Sequence, residues 1–197
     1  MITTEIRGHT VEYFDDGHIY LVDGIKRPSI TQILQLKFAN KYKHVNKDIL
    51  ERASKRGTEV HKSIETYCKT GKAENLPEIT NFRFLQRQFQ FVVIENELPV
   101  VLFVDNEPVA CGRLDLLLQI GDQKGVADIK STSTLDKNYL YYQLNLYRIA
   151  LWQSYGIQTE FLKGVHLKGD TRRFVDIPVN EDLAMALVHE YLKGDQT

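Results

Sequence analysis

Residues 112–130 read GRLDLLLQIGDQKGVADIK, an apolar run that carries Asp115, Asp128 and Lys130 among Leu, Ile and Val. Charged side chains are rare inside such a run, because a buried charge needs a partner. Its middle, Gly121-Asp122, is a two-residue hairpin signal between two stretches of β-forming residues. If that loop joins two strands, Ile120 pairs with Gln123 and Asp115 falls opposite Asp128, with Cβ atoms about 4.5–5.5 Å apart. Side chains alternate along a strand, so Asp128 and Lys130 share one face while Ala127 and Ile129 take the other. Asp115 shares its face with Arg113 and Leu117. An even loop keeps all three charges together; an odd one turns Asp115 away.

Two facing carboxylates at about 4–5 Å repel by roughly 3–4 kcal/mol at an effective dielectric near 20. Lys130 offsets part of that, and a divalent cation would offset all of it. Hard oxygen ligands suit Mg²⁺ or Mn²⁺. The plain alternative is a buried Asp–Lys ion pair whose second aspartate sits at a strand end.

Working outward, three strands are predicted at about 98–105, 109–120 and 124–130. A helix over DKNYLYYQLNLYRIALWQSYG follows, ending at Gly156 with Leu140, Leu144, Tyr147 and Leu151 inward. Strands near 159–168 and 172–177 form a hairpin across Gly169-Asp170, and a last helix is capped by Asn180. Upstream, TVEYFDDGHIYLVDG alternates and turns at Asp16-Gly17. Ser29 caps a short helix, SITQILQLK. Asn46 caps a longer one, Lys47 to about Lys69, with Ile49, Leu50, Ala53, Val60, Ile64 and Tyr67 as its apolar stripe and Gly71 as its stop. TNFRFLQRQFQFVVIEN reads as a third helix with Phe84, Leu85, Phe89 and Val92 inward. The order implies an α/β (α+β) fold with a mixed central β-sheet flanked by helices.

The chain has 197 residues, 43% hydrophobic and 26% charged, as expected of one soluble domain with a proper core. No run approaches a membrane span, and MITTEIRGHT is not a signal peptide, which makes the cytoplasm, bacterial or of a phage-infected host, the expected compartment. Cys68 and Cys111 have no metal spacing and too few partners for a four-thiolate cluster. Net charge is −1, yet seven Lys/Arg (Lys37, Lys41, Lys43, Lys47, Arg52, Lys55, Arg56) face two acids, Asp48 and Glu51, between positions 37 and 56. That run is either a solvated helix face or a local basic groove.

Four motifs in register, RGTEVH (56–61), GRLD (112–115), ADIK (127–130) and QLNLY (143–147), resemble the RecB-type branch of the PD-(D/E)XK nucleases. HIYLVDGIKRPSITQIL (18–34) is similar to the entry segment of phage exonucleases and of the mitochondrial genome-maintenance exonuclease. The likeness covers residues 18–147, lacks the proline that commonly precedes the first aspartate, and does not extend beyond Gly156. It implies a restriction-endonuclease-like core over about 96–178, entered through the N-terminal hairpin and helices of about 1–95.

The resemblance implies Asp115, Asp128 and Lys130 as catalytic residues. One or two Mg²⁺, or Mn²⁺ in its place, would be held by His61, Asp115, Asp128 and the Ile129 carbonyl. Lys130 would orient the attacking water or stabilise charge as the bond breaks. Gly57, one turn before His61, would leave room for its helix to approach the sheet. Gln143 and Tyr147, four apart on one helix face, pack inward with the hydroxyl bonded to the amide, or clasp the DNA backbone or the metal's ligands; both can hold. Arg56, Glu97, Arg113 and Thr132 complete the surrounding set. The hydroxyls of STST (131–134) would donate to phosphates or cap the next helix.

The expected activity is a Mg²⁺-dependent deoxyribonuclease, exonuclease rather than endonuclease, in phage or prophage recombination or repair. DNA is the expected partner, membrane is not, and there is room for a single-strand annealing protein or a helicase. Two other classes stay open: a catalytically idle DNA-end-binding module, and a metal-dependent hydrolase of small phosphoesters. The basic run argues for a polymeric anion, and the absence of GxxxxGK excludes an ATP motor within the sequence.

Overall fold

In the computed structural model, which describes residues 1–14, 17–39, 43 and 45–194, the stretch 112–130 is the middle of a five-stranded sheet. Strands β5 (Val92–Val104), β6 (Glu107–Ile120), β7 (Gln123–Lys130), β8 (Phe161–Lys168) and β9 (Thr171–Ile177) follow one another across it in chain order. All neighbours are antiparallel except β7 and β8, which are parallel and joined by the long helix α4 (Lys137–Tyr155). A parallel pair needs such a crossover. The mixed sheet flanked by helices is the class that the sequence implies.

Helices cover both faces. On one, Leu140, Leu144 and Leu151 of α4 and Ala184 and Val188 of α5 (Glu181–Gly194) pack with Val100, Val126 and Leu162. Ile33 and Leu34 of α1 (Ile30–Phe38) join them. On the other, Val60 and Ile64 of α2 (Lys47–Thr70) and Phe82 and Leu85 of α3 (Pro77–Phe89) meet Leu116, Ala127 and Ile129. Strand β7 is therefore covered on both faces from Gly125 to Ile129, so Asp128 is buried along with Val126, Ala127 and Ile129. A second, four-stranded antiparallel sheet, β1 (Ile2–Ile6), β2 (His9–Phe14), β3 (Ile19–Val22) and β4 (Ile25–Arg27), sets Tyr13, Tyr20 and Val22 against Val101, Phe103 and Cys111. Its outer strands β1 and β4 are additional to the single hairpin predicted; Asp16, in that hairpin's turn, lies outside the described residues.

Caps fall where the sequence puts them. Ser29 forms a capping box with Gln32, Asn46 accepts from Asp48 N–H, and Gly71 and Gly156 close their helices in the left-handed conformation. Two boundaries differ. Helix α3 stops at Gln90 (φ 52°), and the β-branched residues after it start β5 at Val92, six residues before the predicted strand. Val92 is thereby exposed, and Phe89 is half-exposed beside Phe174 instead of inside. The first turns of α2 run free of the body. Ile49 and Ala53 are exposed, so the buried stripe of that helix starts only at Val60. No helix among the described residues is long and apolar enough to cross a membrane.

Candidate metal centre and active site

The β6–β7 hairpin has the register expected of a two-residue loop: Ile120 pairs with Gln123, and pairing continues to Leu116↔Ala127. One step further, Asp115 and Asp128 would face each other. The Asp115 carboxylate instead accepts from Ile129 N–H at 2.7 Å, taking the place of a ladder partner. The ladder from β5 brings a third acid to the same point. Asn96↔Leu116 and Leu98↔Leu114 bracket Glu97 opposite Asp115. Glu97 has φ 50°, a left-handed conformation inside a strand. Such a backbone costs on the order of 1–3 kcal/mol in a non-glycine residue and is characteristic of functional sites.

His61 reaches this group from α2. Its Nε2 lies 3.0 Å from the Ile129 carbonyl, which can only accept, so Nε2 carries the proton. Nδ1 then faces Glu97 and Asp115, 3.6 Å from a carboxylate oxygen of each. One donor atom from each of His61, Glu97 and Asp115 falls within 4.8 Å of the other two. Ligands of an octahedral ion at 2.0–2.1 Å stand about 3 Å apart when adjacent and about 4 Å when opposite, so the three need only a small closure. A histidine that donates one ring nitrogen to a backbone carbonyl and offers the other is the usual arrangement of a metal ligand. The Ile129 carbonyl, expected among the ligands, accepts from His61 and orients its ring.

Asp128, buried, is ion-paired with Lys130 at 2.5 Å. Burial pushes the Asp128 carboxyl up to about 6 against the pull of Lys130, with Asp115 adding to the rise. Asp115 is raised by burial too, opposed by His61 and Lys130. For Lys130, burial works against the charge, but Asp128 and Asp115 outweigh it and hold its pKa above the ordinary value. Burial likewise disfavours the His61 cation. The Asp115 charge and the nearby Glu97 carboxylate overcome that and carry it from 6.5 up to about 9. Without a metal, a proton on the imidazole does the work of a cation.

The remaining residues sort clearly. Arg113 Nη2 holds Glu97 at 2.8 Å and its guanidinium lies 4.8 Å from the Tyr13 ring centroid, so it steadies the third acid. Gln143 and Tyr147 are both buried, and the nearby Gln143 side chain opposes part of the rise in the Tyr147 pKa. The Gln143 oxygen has no partner among the described residues, although it belongs to the cleft wall. Burial raises the Tyr147 hydroxyl well above its ordinary range. The Tyr147 ring lies on Gly112: a Cβ there would stand 2.6 Å from Cε1.

Other expectations are revised. Arg56 points away from the acids, tied to Glu59 at 2.7 Å and to the buried Glu78 of α3 at 2.6 Å, and so joins two helices. A Cβ at Gly57 would meet only Ser131 Oγ at 3.7 Å, an ordinary contact, so the approach of α2 does not require glycine. Thr132 donates to the Thr134 carbonyl, and Asp136 rather than STST caps α4.

The acids, His61, Lys130, Gln143 and Tyr147 line one open cleft of about 910 Å³. Its far wall includes His18, Tyr13 and Tyr20 of the N-terminal sheet, which the sequence reading did not include. Alternation in β2 and β3 places those tyrosines with Val11 and Val22; nothing local says that they meet Arg113. His166 was missed as well. It is buried, pairs with Lys130 across β7–β8 and bonds the Thr132 carbonyl at 2.7 Å, fixing the loop after Lys130.

No family model matches the chain, and no curated protein matches it. A solved structure described as "Crystal structure of SSO0001" aligns with 84% of this chain and 74% of its own at 17% identity and a TM-score of 0.48. A likeness of that size carries nothing about function.

Proposed function

We propose that the chain is a divalent-metal-dependent deoxyribonuclease with a restriction-endonuclease-like core of the RecB-type PD-(D/E)XK kind, acting as an exonuclease. The observation that carries this reading is the convergence of His61 Nδ1, Glu97 and Asp115 beside the Asp128–Lys130 pair, with the His61 tautomer set by the Ile129 carbonyl. One nitrogen and two carboxylate oxygens suit Mg²⁺ and, because of the imidazole, Mn²⁺ even better. A bound ion would polarise a phosphodiester oxygen and acidify a water at that point.

The chain's own groups supply the rest. Lys130 keeps its proton in this setting, so it offers positive charge to the phosphate or a proton to the leaving oxygen, and does not serve as a base. Asp128 holds that ammonium in place. Arg113 fixes Glu97, and the unpaired Gln143 oxygen is an acceptor for a water or a substrate hydroxyl. The basic start of α2 would offer a polyanion further positive charge. Lys43, Lys47, Arg52 and Lys55 are exposed there, Lys37 lies against Tyr142, and Lys41 is outside the described residues.

The test is cleavage of end-labelled linear DNA and of closed circular DNA with Mg²⁺, Mn²⁺ or EDTA, for wild type and Asp115→Ala. The expected result is metal-dependent release of nucleotides from linear DNA only, abolished in the variant. Cleavage that survives EDTA, or none from either form with either metal, would overturn the proposal.

A further inference from the structure

The two outer edges of the five-stranded sheet are finished differently. On β5, side chains of α4 close the backbone from Pro99 to Phe103. Ser154 and Gln153 bond both the N–H and the carbonyl of Val101 and Phe103, and Tyr155 donates to the Pro99 carbonyl. The rest of that edge is broken by the bulge at Val93/Glu95 and by the left-handed Glu97. Covers and bulges of this kind stop another strand from adding to an edge. Strand β9 has neither. Its seven residues pair with β8 without interruption, from Leu162↔Ile177 to Lys168↔Thr171, and among the described residues nothing bonds its outer backbone. We propose that this edge is the docking surface for β9 of a second copy of the chain, the two sheets joining into one about a twofold axis.

The occupant follows from the order of charges in β9, which reads TRRFVDI. Two identical strands related by a twofold axis run antiparallel, so one residue faces its own copy and the others pair symmetrically around it. With Phe174 at the axis, the whole strand is paired and Arg172 of each copy faces Asp176 of the other. Opposite charges directly across an antiparallel pair are favourable, and like charges are not. An axis at Arg172, Arg173 or Asp176 sets like charges against each other. One at Val175 leaves both arginines without an acid opposite, and axes at either end leave most of the strand unpaired. Charges on an edge strand ordinarily keep edges apart. The order of these charges instead admits a second copy, in one register.

The side chains agree with that register. Alternation puts Arg172, Phe174 and Asp176 on the α3 side, where the Arg172 guanidinium lies 3.7 Å from the Phe84 ring centroid and the Phe174 ring 4.8 Å from that of Phe89. Phe89 is half-exposed, so an axis at Phe174 draws two open aromatic pairs together. Asp176 meets Lys163, yet its side chain is 84% exposed, and a carboxylate can accept from two cations. Arg172 is exposed and comes no nearer than 3.5 Å to Asn81, which leaves donors for a second acid. No residue of β9 lines the cleft, so pairing leaves both clefts open. The two β7 strands would lie five strand spacings apart, about 24 Å across the joined sheet. The dimer does not depend on the nuclease reading.

A seven-residue strand pair is a small interface, so the wild type should dimerise with a Kd on the order of 10 μM, read by sedimentation equilibrium. Hydrogen exchange on the wild type above and below that concentration should show protection gained at 171–177 and none along β5. This arm depends on no variant. Arg172→Asp gives the strand acids at both positions, and Asp176→Arg gives it cations at both. Each variant alone should weaken the dimer on the order of a hundredfold, because two attractive pairs become two repulsive ones. An equimolar mixture should restore it, as a heterodimer by native mass spectrometry, since each variant supplies the charge that the other lacks.

A wild type that stays monomeric well above that concentration, or a dimer whose protection lies outside 171–177, would overturn the proposal. So would folded variants that still dimerise alone, or that stay monomeric when mixed. Protection of 171–177 that appears in a monomer only when DNA is added would give the edge to nucleic acid and overturn the second copy as its occupant.

Discussion

Gly112→Ala adds one methyl group where the structure has no room for it. A Cβ at position 112 would lie 2.6 Å from Cε1, 3.2 Å from Oη and 3.3 Å from Cζ of Tyr147. Carbon atoms prefer about 3.5–4.0 Å, so the ring or the strand must retreat by about 1 Å. Neither is free to do so. Gly112 is paired with Val100 within the β5–β6 ladder, and Tyr147 is buried on α4. Forcing a methyl group into such packing costs about 1–3 kcal/mol. For a chain of this size each kcal/mol lowers the melting temperature by roughly 2–4 °C. Thermal and urea melts in EDTA measure the loss directly. The sharper readout is a double-mutant cycle with Tyr147→Leu, which removes the atoms in conflict. Each single change should destabilise, and the pair should cost at least about 1 kcal/mol less than their sum, since the two sites touch. Simple additivity would show that Tyr147 does not rest on Gly112, and the placement of Gln143 and Tyr147 in the cleft would fall with it.

Other outcomes follow from the charges. The His61 pKa, raised from 6.5 to about 9, stabilises the metal-free fold fully below pH 6.5, and that contribution disappears as pH rises through about 9. Mn²⁺ must displace this proton, so its affinity should climb close to tenfold per pH unit between about 7 and 9 and level off above. Calorimetry in buffers of different ionisation enthalpy should count about one proton released at pH 7.5, and His61→Ala should release none; an equal count in both would remove His61 from the ligands. Lys130→Ala leaves the buried Asp128 without its partner, so its melting temperature in EDTA should fall further below wild type at pH 8 than at pH 5, where the carboxyl, raised to about 6 even with Lys130 present, is protonated. With Mg²⁺ the same variant should bind DNA and cut it on the order of 10²-fold more slowly; unchanged turnover would make Lys130 architecture alone. Charge reversal at Lys43, Lys47 and Arg52, all exposed, should weaken DNA binding and flatten its dependence on salt. An unaltered salt slope would return that stretch to plain solvated surface.

The sequence by itself determined the heart of this protein because the information there is local. A two-residue loop between alternating strands leaves one register, and that register brings Asp115, Asp128 and Lys130 together without reference to anything distant. The caps at Ser29, Asn46, Gly71 and Gly156 are local as well, each a matter of one side chain or one left-handed backbone. What only the tertiary structure decided depends on which distant surfaces meet. Glu97 reads as one acid near the start of a strand until the ladder sets it opposite Asp115 and the fold holds it at positive φ. Arg56 lies one residue from the His61 motif's glycine, yet the partner that claims it is Glu78, on another helix. That the Ile129 carbonyl accepts from His61 depends on where α2 packs, which nothing within β7 states. The exposed first turns of α2 show the same limit, since apolar spacing marks a stripe but not how far the neighbouring sheet extends to cover it.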